Sequence, residues 1–160
     1  MSAPSKRTKF EVMFDVFERF YGDLAKLSDP VARKLCQNWY ALRPQYLRPP
    51  PGVKRSQLAQ GLEQGLREMP LLFQSLTKQD RAAAAKAYHS ALESEYPAFL
   101  ASERERLAKV VGRGRIAGES EFHLVRHAID FGEGGTTDPN TLGKLYGLVD
   151  AFQAKGRHGA

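Results

Sequence analysis

The chain has 160 residues, of which 42% are hydrophobic and 26% charged, a composition typical of a globular protein rather than a disordered or fibrous one. Its one cysteine, Cys36, excludes an intrachain disulfide, a CxxC redox pair and a cysteine-based zinc cluster. The formal net charge is +6, and no stretch reads as a secretory signal or a membrane span. We therefore expect one cytoplasmic domain that needs no cofactor.

The N-terminal part of the sequence predicts a helix from Lys9 to about Leu27. At about 100° per residue its apolar residues gather on one broad face, whereas Glu11, Asp15 and Glu18 gather on the opposite one. The apolar face comprises Phe10, Met13, Phe14, Phe17, Phe20, Tyr21, Leu24 and Leu27. We expect this face to supply much of the hydrophobic core.

A second helix is predicted to begin at Asp29 and Pro30. Asp is a good N-cap, and proline suits the first helical position because its missing N–H would be unpaired there anyway. Pro44 disfavours the α conformation of the residue before it, which predicts a helix end near Leu42. From Pro44 to Lys54 we expect an extended connector that includes three consecutive prolines.

Three further helices are predicted between this connector and the Gly-Arg-Gly-Arg segment. Ser56 can cap the third helix, and Pro70 breaks or restarts it. Thr77, three residues before an aspartate, can cap the fourth helix. Pro97 either kinks this helix or opens a fifth one, which Gly112 is expected to end.

Two more helices complete the prediction. The sixth runs from Glu119 to Phe131 and is closed by the segment GEGG, and the seventh begins with Asp138 as cap and Pro139 in its first turn. No run of alternating β-branched and polar residues indicates a strand. The chain contains no convincing internal repeat.

These patterns predict an all-α fold, a helical bundle that forms a single compact domain of six or seven helices with a Pro-rich extended connector after the second helix. The helical domain is expected to cover residues 9–154. Residues 1–8 and 155–160 are expected to be a flexible N-terminus and a flexible C-terminal tail.

The positive charge is concentrated in one segment, because there is no Asp or Glu between Pro30 and Leu62. The cations of this segment are Arg33, Lys34, Arg43, Arg48, Lys54 and Arg55. The Lys and Arg residues elsewhere equal the 18 Asp and Glu residues in number, so the segment carries the whole net charge. A field of one sign raises the local concentration of anionic partners and weakens with salt.

The aromatic residues of this segment differ in their predicted positions. Trp39 shares the apolar side of the second helix, whereas Tyr40 shares the outer side with Arg33, and Tyr46 falls in the connector. Aromatic side chains among cations can stack on exposed bases. The sequence therefore predicts a non-enzymatic protein that binds DNA, RNA or another polyanion through Arg33, Lys34, Tyr40, Arg43, Tyr46, Arg48, Lys54 and Arg55. A basic connector that only keeps the chain soluble is the alternative.

A stripe of titratable residues on the sixth helix is the most enzyme-like feature. Glu119, His123, His127 and Asp130 are spaced by four, four and three residues, and two histidines four apart can bind zinc. The set lacks a third ligand of the usual kind, and Leu124 occupies the position of the general base in an HExxH motif. We interpret the stripe as the solvated side of the helix, with a metal site as the alternative, and expect no catalytic residue.

A protein partner is the alternative function. The segment from Glu68 to Leu76 has more apolar side chains than one helix face can easily bury, and we take Leu71, Leu72 and Phe73 as a possible partner-binding patch. An adaptor, a toxin-neutralising protein or a subunit of a larger assembly would fit, and an acidic partner would suit the basic segment. The sequence predicts no membrane association and leaves the oligomeric state open.

Overall fold

The computed structural model describes residues 6–133 and 138–158, which contain seven α-helices and no strand. The helices are α1 (Lys9–Leu24), α2 (Pro30–Leu47), α3 (Arg55–Phe73), α4 (Lys78–Glu95), α5 (Pro97–Arg113), α6 (Glu119–Glu133) and α7 (Pro139–His158). The prediction of one compact all-α domain is confirmed. Pro97 opens a separate helix rather than kinking α4.

Side-chain caps explain where several helices begin. The Asp29 carboxylate accepts a hydrogen bond from the Val31 amide at 2.7 Å, and the Thr77 hydroxyl accepts one from the Asp80 amide at 3.3 Å. Both caps were predicted, and each satisfies an amide that has no partner inside its helix. Thr8 caps α1 in the same way.

Helix α2 continues past Pro44 to Leu47, so the predicted end near Leu42 is wrong. Inside a helix, proline removes the hydrogen bond to the carbonyl four residues earlier, and its ring pushes that carbonyl away. That carbonyl belongs to Tyr40, which is half exposed and lies on the outer side of the helix. The connector is consequently shorter than predicted and covers residues 48–54, with Gly52 at φ +87°.

The ends of other helices also differ from the predictions. Helix α3 begins at Arg55, before the predicted cap Ser56, and runs through the buried Pro70. Helix α5 ends at Arg113, and Gly114 rather than Gly112 adopts the left-handed conformation that terminates it, with φ +81°.

The structure describes most of the predicted helical domain and part of the two segments that flank it. Helix α7 extends to His158, beyond residue 154 where the helical domain was predicted to end. The first five residues of the N-terminal segment and residues 159–160 of the tail lie outside the described residues. The last two residues of the GEGG segment also lie outside the described residues, and its first two residues belong to α6.

The larger part of the core forms around the apolar face of α1. Phe20 lies at its centre, with ring centroids 5.6 Å from Phe73 of α3 and 6.2 Å from Tyr88 of α4. Trp39 of α2 is only 4% exposed and stacks on Tyr21 at 5.4 Å.

Trp39 and six of the eight apolar positions predicted for the first helix are buried as expected, whereas Phe14 and Leu27 are only partly buried. Helix α1 ends at Leu24, three residues before the predicted end, so Leu27 lies beyond the helix.

A smaller hydrophobic cluster joins α5, α6 and α7. Its buried residues are Val110, Ile116, Val125, Ile129, Leu145, Leu148 and Val149. Helix α6 is central to this arrangement because it packs against α4 and α7 and also touches α3 and α5. Helix α6 therefore has neighbours on most of its circumference.

Candidate functional site

The predicted basic segment lies on α2 and the connector that follows it. Helix α2 packs against α1 through Ala32, Cys36 and Trp39, which are buried. Most of its other side chains are exposed, and none of them is a carboxylate. The outer side of α2 is thus a polar and basic surface at the edge of the bundle.

Five of the six predicted cations are exposed on α2, in the connector or at the first residue of α3. They are Arg33, Lys34, Arg48, Lys54 and Arg55, and together with Tyr40 we call them the basic surface. None of the five pairs with a carboxylate among residues 6–133 and 138–158, so their charges are not neutralised within that part of the chain. The Arg55 guanidinium carbon lies 5.4 Å from the Phe10 ring centroid, a cation–π contact that positions this side chain.

Arg43 and Tyr46 differ from the other predicted site residues because the fold itself uses them. Arg43 Nε donates a hydrogen bond to the Glu18 carboxylate, and the guanidinium lies 5.8 Å from the Phe14 ring centroid. Tyr46 stacks on Trp39 with ring centroids 5.6 Å apart. The Arg43 contacts attach the C-terminal half of α2 to α1, and Tyr46 packs against the core on a residue of its own helix. We therefore leave both residues out of the basic surface.

Exposed apolar side chains accompany the cations, and the sequence did not predict these apolar side chains. Tyr40 is 50% exposed as predicted, but Leu42 and Leu47 are also 47% and 51% exposed. Helical periodicity groups Leu42 with Trp39, on the buried side. In the structure only α1 covers this part of the helix closely, which leaves Leu42 uncovered.

The predicted partner-binding patch is smaller than expected. Phe73 is fully buried against Phe20 and Tyr88, so it is not accessible to a partner. Leu71 and Leu72 are each 41% exposed. The accessible part of the patch therefore consists of these two leucines near the end of α3.

The interpretation of the α6 stripe as a solvated side is wrong for two of its four residues. Asp130 is only 2% exposed, and the Nδ1 atom of His127 is buried. Glu119 is exposed, and the His123 side chain is partly buried. The reason is that α6 packs against neighbours on its polar side as well as its apolar side.

Asp130 is held in a polar cluster between α3, α4 and α6. Gln74 Nε2 donates a hydrogen bond to its carboxylate at 3.0 Å, and Arg81 and Arg126 lie 3.6 and 3.9 Å from it. Burial nevertheless raises the pKa of Asp130, against the opposing effects of Gln74 and the two arginines. The charge of Glu133 also raises this pKa. The side chains placed against the carboxylate, Gln74, Arg81 and Arg126, are donors, so the carboxylate is a structural junction rather than an open site.

His127 is a buried neutral imidazole. Its ring meets Tyr88 edge to face with centroids 4.9 Å apart, and Nδ1 has no hydrogen-bond partner among the described residues. Burial, with a smaller effect of His89, lowers the pKa of His127 to about 3. Within residues 6–133 and 138–158, no group of three or more His, Cys, Asp or Glu side chains is placed to hold a metal ion.

A cavity of about 320 Å³ lies between α3, α4, α5, α6 and α7. His89, His123 and His127 all line it, although they come from two different helices. Sequence reasoning missed the cavity because no local pattern shows which side chains from five helices meet. From the sequence, the α6 histidines indicated only a possible zinc site.

The comparisons with known proteins found no family model, no curated protein and no solved structure that matches this chain. Among the described residues, no helix combines the length and the apolar character needed to cross a membrane.

The pKa of His127 predicts a pH dependence of stability. Between pH 6.5 and about pH 3 the unfolded chain takes up a proton at this residue that the folded protein does not. Lowering the pH from 7 to 5 should thus reduce the free energy of unfolding by about 2 kcal/mol through His127 alone. His127→Phe should remove that part of the dependence, measured by urea unfolding at both pH values.

The matched control is His123→Gln, at the other histidine of the same helix. This variant should retain the part of the pH dependence that is assigned to His127. An unchanged difference between pH 7 and pH 5 in His127→Phe would show that His127 is not the residue responsible.

Proposed function

We propose that the protein binds single-stranded nucleic acid through the basic surface. The observation that carries this proposal is the set of five exposed cations and the exposed Tyr40 within a segment, residues 31–62, that contains no carboxylate side chain. Phosphate groups are bound in this way because Lys and Arg displace the condensed counterions. An aromatic side chain among the cations adds a stacking site for a base.

The dimensions of α2 support an extended ligand. Arg33 and Arg48 are fifteen positions apart, which corresponds to roughly 22 Å along a helix at 1.5 Å per residue. Tyr40 lies between them on the same outer side. A strand that follows α2 would therefore meet cations at both ends of the helix and the phenol ring near its middle.

The choice of a single strand follows from the side chains available for contact. Base stacking on Tyr40 requires a base that is not already stacked within a duplex. Leu42 and Leu47 are exposed nearby and offer apolar contact without hydrogen-bond readout. The expected binding is consequently tolerant of sequence and sensitive to salt.

The first test is the salt dependence of binding to a fluorescent single-stranded oligonucleotide. For single strands, the slope of log affinity against log salt is about −0.7 per neutralised phosphate. Arg33→Ala combined with Arg48→Ala should reduce the magnitude of this slope by about 1.4 units, measured by fluorescence anisotropy.

The matched control removes the same charge elsewhere. Lys109→Ala combined with Lys144→Ala changes two exposed lysines of α5 and α7 and should leave the slope nearly unchanged. Equal effects of the two double variants would indicate a response to net charge rather than to this surface. Absence of binding by the wild type at low salt would contradict the proposed function.

The second test addresses the stacking role of Tyr40. Tyr40→Ala should weaken single-strand binding by about 5- to 150-fold, because a base–aromatic stack contributes roughly 1–3 kcal/mol. Tyr40→Phe keeps the ring and should bind within about twofold of the wild type. If Tyr40→Ala binds as tightly as Tyr40→Phe, the ring does not stack on a base.

A protein partner is a second candidate function, favoured by the exposed and adjacent Leu71 and Leu72. Neighbouring exposed leucines on a helix can enter a groove of a partner. A partner that copurifies with the tagged chain should be lost with Leu71→Ser combined with Leu72→Ser, at an unchanged thermal midpoint. Leu42→Ser, at another exposed leucine, should retain it, and retention by the double variant would contradict this docking site.

A further inference from the structure

The cavity that helices α3 to α7 line has predominantly apolar walls. Its apolar lining includes Leu92, Leu100, Leu107, Leu124, Phe131 and Leu145. These residues come from α4, α5, α6 and α7, so four successive helices supply the apolar lining. A concave apolar site with a few polar groups is the usual form of a small-molecule site.

Two polar groups of the lining, His127 and Tyr88, are in contact and carry no charge at neutral pH. His127 is neutral because burial holds its pKa near 3. The Tyr88 hydroxyl donates a hydrogen bond to the Leu66 carbonyl at 2.8 Å, and burial raises its pKa. The part of the cavity that these two residues line is therefore suited to an uncharged, mostly apolar group.

The charged residues of the lining differ in how they are paired. Arg67 pairs with Glu63 at 2.9 Å, and Arg106 contacts both carboxylate oxygens of Glu103 at 2.9 and 3.1 Å. Arg104 pairs with no carboxylate of residues 6–133 and 138–158. Among the three arginines that line the cavity, it is therefore the one whose charge no carboxylate of the described residues neutralises. This charge remains available to a ligand.

Arg104 is positioned by a neutral histidine. A guanidinium nitrogen of Arg104 lies 3.2 Å from His89 Nε2, and the His89 ring stacks on Phe131 with centroids 3.9 Å apart. Burial, followed by the charge of Arg104, lowers the pKa of His89. A neutral His89 can accept from Arg104 without cancelling its charge, which holds the guanidinium beside the apolar lining.

We propose that this cavity binds a medium-chain carboxylic acid, with the hydrocarbon chain among the leucines and the carboxylate on Arg104. The arrangement combines an apolar interior with a single unpaired cation, which matches a ligand that has one anionic end. At about 30 Å³ per water-sized group, the cavity volume of about 320 Å³ holds roughly ten such groups. Chains of eight to ten carbons therefore fit.

This site is independent of the basic surface. Its lining residues belong to α3–α7, whereas the basic surface lies on α2, the connector and the first residue of α3. The two proposals can consequently fail separately. Loss of nucleic-acid binding in the variants above would leave the cavity unaffected.

The experiment is isothermal titration calorimetry of the full chain with octanoate, decanoate and decan-1-ol, each below the concentration at which it aggregates. Each buried methylene should raise the affinity about fourfold, so decanoate should bind about 15-fold more tightly than octanoate. Arg104→Gln should weaken decanoate binding about tenfold and leave decan-1-ol within about twofold. Arg48→Gln, at an exposed arginine outside the cavity, should change neither.

A second variant tests occupancy of the cavity itself. Ala128→Phe places a ring in the cavity and should abolish binding of decanoate and decan-1-ol alike, with helicity checked by circular dichroism. If this variant does not fold, Ala128→Leu should weaken both ligands by a common factor. Arg104→Gln changes an exposed side chain, so the comparison of decanoate with decan-1-ol in this variant does not depend on whether the Ala128 variants fold.

Three results would overturn the proposal. The first is the absence of heat from decanoate with the wild type at millimolar concentration. The second is decanoate binding that is insensitive to the folded Ala128 variants, which would place the ligand elsewhere. The third is equal affinity for decanoate and decan-1-ol with no effect of Arg104→Gln, which would contradict the anionic head group.

Discussion

The packing of Phe20 against Phe73 and Tyr88 is the contact on which the rest of this structure depends. It joins α1, α3 and α4, and the Tyr88 ring continues it to His127 of α6 at 4.9 Å. One connected set of aromatic rings thus leads from the larger hydrophobic cluster to the cavity. Large buried rings contribute heavily to core stability, so removing one would affect both regions.

Helix starts could be predicted from the sequence because capping is local. Asp29 and Thr77 lie two or three residues from the amides they accept from, and Pro97 acts through its own ring. Helix ends were predicted less well for physical reasons that are also local. Pro44 gives up one hydrogen bond on a solvated side, and the segment at Gly112 and Gly114 offers two glycines that could terminate α5.

The surroundings of the polar residues could not be predicted, because they depend on contacts between distant segments. Asp130 has the spacing of a surface residue on α6, yet Gln74 and Arg81 enclose it from α3 and α4. The cations of the basic segment could be named from charge alone. The pairing of Glu18 with Arg43 could not be predicted, because it depends on how α1 and α2 cross.

The absence of carboxylates from α2 gives the molecule an electric dipole. Residues outside positions 30–62 have equal numbers of cationic and anionic side chains, so the centre of positive charge is displaced toward that segment. A polyanion at a distance comparable to the Debye length exerts a torque on such a molecule and turns α2 toward itself. Orientation would then precede contact, and a larger share of diffusional encounters would begin with α2 already facing the polyanion.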